Sequence, residues 1–126
     1  MSSVENFSEQ PDEEKLTYLK DKLRRLDLRL VKERLMAIPE LGGLGWTKEY
    51  TDETEKWYKR YLFLCVKYPD RSLVPTNDID KFWHQHIVDT QKYARDCQLL
   101  FGYFLHHNPD YSPTTDKEIK QASFEW

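Results

Sequence analysis

Leu16, Leu19, Leu23, Leu26 and Leu30 recur at spacings of three and four residues. That spacing lays apolar side chains along one stripe of an α-helix, whereas a strand would need alternation at every second residue. Leu28, Val31, Leu35 and Ile38 open a second stripe, so a helix over residues 11–38 is expected, covered on two sides in its later turns. Pro11 suits its first turn, and Pro39 ends it by pushing the preceding residue out of α geometry. The same period returns in Trp57, Tyr58, Tyr61, Leu62, Leu64, Cys65 and Tyr68, predicting a helix over 51–68 with Thr51 as N-cap and Pro69 as stop. It returns again over 78–100, capped by Thr76 or Asn77. Thr115-x-x-Glu118 has capping-box form and predicts a short last helix ending in Phe124 and Trp126. No useful stretch alternates as a strand would. The expected fold is an all-α, single-domain bundle of three to five helices over 11–126, behind a flexible N-terminus at 1–10. Leu26, Trp57 and Phe82 are expected in its core.

Composition narrows the function classes. Four Trp, eight Tyr and six Phe in 126 residues supply a core that a disordered chain would lack. The net charge of −3 offers no overall basic balance for neutralising phosphates, so nucleic acid is not an expected partner. The local run Lys20-Asp21-Lys22-Leu23-Arg24-Arg25, with Arg29 and Lys32, is interleaved with acids and reads as a solvated helix face. Cys65 and Cys97 are too few for a disulfide framework and read as small core residues. The N-terminus lacks a basic start followed by an apolar run, and no apolar stretch approaches the roughly 20 residues that span a bilayer. A cytoplasmic protein with no membrane partner is the default expectation. Leu41-Gly42-Gly43-Leu44-Gly45-Trp46 lacks the strand and lysine of a phosphate-binding loop and reads as an inter-helix connection.

The chemically suggestive stretch runs from Trp83 to His107. On a helix at about 100° per residue, Ile79, Phe82, Trp83, His86, Thr90, Tyr93, Cys97, Leu100 and Phe101 share one face. His86 therefore sits within the apolar stripe, while His84 points roughly 160° away. Helical residues three or four apart can share a ligand, so Asp89 is the nearest carboxylate for His86. Three readings of His86 stand open: a structural hydrogen bond to a backbone carbonyl or Asp89, a metal ligand, or a general base. A turn at Gly102 can fold His106 and His107 back along the preceding helix, with Asp110 close behind. His86, Asp89, one of His106 and His107, and Asp110 would suit a divalent metal such as Zn, Fe or Mn.

The segment Val74-Pro75-Thr76-Asn77-Asp78-Ile79-Asp80-Lys81-Phe82-Trp83-His84-Gln85-His86-Ile87-Val88-Asp89-Thr90 carries an Asp-x-x-Trp-His-x-His core. With Tyr93, Asp96-Cys97, Phe101-Gly102 and His106 it resembles the glycine-rich-domain-containing-protein-like family, over residues 74–109. The resemblance marks Trp83, His84, His86, Asp89, Tyr93 and His106 as the positions to watch. It implies no activity or cofactor, and an RNA-related role linked to members with a glycine-rich tail is not carried over. Two function classes follow. One is a helical domain with a His/Asp metal site, as a metalloenzyme or a metal-dependent accessory protein. The other is an interaction or scaffold module with structural histidines, whose Trp46, Tyr111 and Trp126 meet a protein partner.

Overall fold

The computed structural model describes residues 12–71 and 73–107, and these contain five α-helices and no strand. α1 spans Glu13–Arg25, α2 Arg29–Met36, α3 Lys48–Lys67, α4 Asn77–Val88 and α5 Thr90–Leu100. The all-α expectation holds. α3 is the axis of the bundle, packed by α1, α2 and α4, while α4 also meets α2 and α5. Among the described residues no helix is long and apolar enough to cross a membrane. The short helix expected after Thr115 lies outside the described residues.

The expected helix over 11–38 is two helices. Asp12 caps α1 by accepting from the Lys15 amide at 2.8 Å, and Glu13 and Glu14 complement the positive end of the helix dipole. α1 stops at Leu26, where the backbone turns extended. One straight helix would point its two stripes in different directions; the break lets both face the core. Leu19, Leu23, Leu26, Leu28, Val31 and Leu35 are all buried, while Leu30 of the first stripe and Ile38 of the second are left outside, about half exposed. The Asp27 carboxylate accepts from the Arg29 amide at 3.0 Å and so helps restart the chain as α2.

The α2–α3 connection folds back on the end of α2. The amides of Leu44 and Trp46 both donate to the Leu35 carbonyl, and the Gly45 amide donates to Ala37. A Cβ at Gly43 would collide with the Ala37 carbonyl and its backbone carbon. Gly43→Ala is therefore expected to cost about 1–3 kcal/mol through forced backbone displacement. Urea denaturation checks this, and an unchanged midpoint would show that the loop opens without cost.

α3 begins three residues earlier than expected, and its cap lies four residues earlier. Thr47 is the cap, accepting from the Tyr50 amide at 3.1 Å, while Thr51 is buried and returns its hydroxyl to the Thr47 carbonyl. Phe82 and Leu26 are buried as expected; Trp57 is only partly so and lies at the edge of the core. Of the two caps expected for α4, Thr76 or Asn77, the structure uses Thr76.

The expected helix over 78–100 is also broken. Asp89 adopts φ −86° and ψ 78°, ending α4 and starting α5. Thr90, expected on the buried face, is consequently exposed, while Tyr93, Cys97 and Leu100 remain inside. Gly102, at φ 80°, reverses the chain after α5, its amide shared between the Cys97 and Gln98 carbonyls.

Candidate functional site

His86 lies on the inner face of α4 and is 1% exposed. Both its ring nitrogens are engaged: Nδ1 is 2.7 Å from the Tyr58 hydroxyl on α3, and Nε2 is 2.7 Å from Asp96 Oδ2 on α5. Lys92, one turn before Asp96, donates to the same carboxylate oxygen at 2.9 Å. Burial pushes the Tyr58 phenol well above its ordinary range, so it keeps its proton and donates to Nδ1. Nε2–H then donates to Asp96. Burial also pushes the Asp96 carboxyl up, but the hydrogen bonds from His86 and Lys92 outweigh it and leave that carboxyl below its usual value.

The break at Asp89 makes this contact. On a continuous helix, ten residues would separate His86 and Asp96 by about 15 Å along the axis. The kink brings α5 alongside α4, so Asp96 reaches the ring. Asp89 itself, the partner expected from its spacing of three, has left the helix, and its carboxylate stands 4.0 Å from Arg34 on α2.

A second layer surrounds Trp83. Its indole N–H donates to the Tyr93 hydroxyl at 2.9 Å, and that hydroxyl donates to the Leu105 carbonyl. The Leu105 amide meets Cys97 Sγ at 3.5 Å. These contacts clamp the segment after Gly102 back against the bundle and bring His107 over Trp83, with ring centroids 4.4 Å apart. His107 Nε2 bonds Asp80 Oδ1, one turn before His84 on α4, and the His84 and His107 ring centroids are 6.2 Å apart.

The expected site residues thus separate into different places. His84 is exposed on the opposite side of α4 from His86, as the helical phase requires. His107 belongs to the outer layer, while His106 is exposed and packs edgewise on Phe104. Asp110 lies outside the described residues, as do Tyr111 and Trp126. Trp46 is half-buried against the core and meets Tyr50 edge-on. Among the described residues, no three His, Cys, Asp or Glu side chains are arranged as a metal ion would require. The Cys65 thiol, partly buried against the core, is pushed up to about 12 by burial, which suits an inert residue.

Sequence reasoning missed Tyr58, Asp80, Lys92 and Asp96. A buried phenol signals a need for a polar partner, Asp80 opens the Asp-x-x-Trp-His core and Asp96 is among the residues that carry the family resemblance, so only Lys92 left no trace.

Comparisons with known proteins agree with this stretch being the informative one. The profile of the UCP032817-like family matches residues 44–124. Glycine-rich domain-containing protein 2 of Arabidopsis thaliana is 33% identical over 63 residues, covering 47% of this chain and 8% of the plant protein. Glycine-rich domain-containing protein 1 of the same plant is 35% identical over 63 residues, with the same coverage. The chain therefore spans only about 8% of the length of these curated relatives. No solved structure matches. With more than half of its length matched, from the α2–α3 loop onward through the His86 network and the Trp83 clamp, this chain belongs to the UCP032817-like family.

Proposed function

We propose that this chain is a protein-interaction or scaffold module whose central histidine is structural. The saturation of His86 carries the reading. With one ring nitrogen bonded to Tyr58 and the other to Asp96 in a buried position, no lone pair is left for a metal or a substrate proton. The ring instead ties α3, α4 and α5 together. The size of the matched stretch within much longer relatives is in keeping with a module.

A metal site has one observation in its favour, in the outer layer. Asp80 and His84 stand one turn apart on α4, and His107 closes on Asp80. This is a set of two imidazoles and one carboxylate of the kind that takes Zn, Fe or Mn. It requires the exposed His84 ring to turn toward the other two. Metal analysis of protein purified without a histidine tag separates the readings. The module reading expects no stoichiometric metal in the wild type. Stoichiometric metal that disappears in both His84→Ala and His107→Ala would overturn it in favour of the outer cluster.

A further inference from the structure

A groove of about 700 Å³ runs between the α1–α2 corner, α2 and the outer face of α3, away from the histidine layers. Its floor is a chain of ion pairs. Lys48 holds Asp52 at 2.7 Å, Lys32 lies 2.8 Å from both Asp52 and Glu55, and Lys59 reaches Glu55 at 3.3 Å. Three ammonium groups thus share two carboxylates, leaving the floor net positive. Arg29 and Arg60 add positive charge to the lining. The Asp52 carboxyl responds to this field: the ammonium groups of Lys32 and Lys48 beside it hold it at about 2.

The lining contains seven of the 19 Lys and Arg residues but only four of the 22 Asp and Glu, although the whole chain carries −3. Positive charge is therefore gathered here, on a chain whose remainder is acidic. A long polyanion such as a nucleic acid would extend beyond the groove and meet that acidic remainder. A short anionic segment would not. The volume falls within the roughly 300–1,000 Å³ of ordinary ligand pockets, enough for a few side chains. Met36, partly exposed among the lining residues, supplies apolar contact between the charges, with the buried Leu26 and Leu28 behind it.

We propose that this groove docks a short acidic peptide segment of a partner protein, one that alternates carboxylate and apolar side chains. The inference rests on the module reading above and gives it a surface and a partner chemistry. Carboxylates would meet Arg29, Lys32, Lys59 and Arg60, with the apolar side chains seated beside Met36. Encounter would be steered electrostatically and would weaken as salt rises.

Fluorescence anisotropy with a labelled peptide alternating Glu and Leu tests this on the full chain. Saturable binding is expected, lost when Gln replaces Glu in the peptide. Arg29→Glu with Arg60→Glu should weaken it about tenfold or more. Lys15→Glu with Lys81→Glu, an equal change of net charge at exposed positions off the groove, should change it far less. Circular dichroism confirms that both variants are folded. Equal binding of the Gln peptide, equal effects of the two variant pairs, or tighter binding of a single-stranded dT oligonucleotide would each overturn the proposal. Failure here with the wild type still free of metal would remove the groove assignment alone, whereas stoichiometric metal would remove the module reading.

Discussion

Replacing Phe82 by alanine is expected to destabilise the protein by about 3–5 kcal/mol, from lost apolar burial and the cavity left behind. Phe82 is fully buried on α4 and packs at 4.9 Å between ring centroids against Tyr58, itself fully buried on α3. It stands where the axial helix meets the helix that carries the motif, so the surroundings cannot collapse without moving Tyr58 and its bond to His86. Guanidinium denaturation monitored by circular dichroism would show a lower midpoint with an unchanged slope. An unchanged midpoint would mean that this face of α4 does not form the core.

Helical class, the Thr76 cap, the Gly102 reversal and the opposite facing of His84 and His86 were legible from the sequence because each is a local property. Period fixes which side a residue takes, and caps and glycines mark ends. The breaks at Leu26–Leu28 and at Asp89 were not legible. Neither carries a proline or a glycine, and both conform to a helical period on each side. They arise from tertiary demand: the first turns two differently facing stripes onto one core, and the second lays α5 against α4. The site followed the same division. Burial of His86 was readable from its stripe, but its partners were not. Tyr58 is 28 residues away on another helix, and Asp96 replaces Asp89 only because the chain kinks between them. A spacing rule written for a continuous helix selects the wrong carboxylate whenever the helix stops inside the interval.

The buried network yields the other large effect. His86→Ala is expected to cost on the order of 3 kcal/mol: a cavity forms, the Tyr58 hydroxyl loses its buried partner, and Asp96 keeps only Lys92. His86→Phe fills the space without restoring either bond, so its residual loss measures the polar part alone. Asp96 also makes stability depend on pH in a defined direction. Its carboxyl titrates lower in the folded protein than in the unfolded chain, because the bonds from His86 and Lys92 outweigh the opposing effect of burial. The unfolded state then binds more protons across that interval. The contribution is fully present above the ordinary aspartate value near 3.9 and is lost as pH falls through the lower folded value. Asp96→Asn should lower stability at neutral pH and flatten the acid side of the profile relative to wild type. Denaturation midpoints measured from neutral pH down to the acid limb would show the two curves converging. If they ran parallel, Asp96 would carry no charge-dependent share of the fold, and the reading of His86 as a structural tie between Tyr58 and an ionised Asp96 would fall with it.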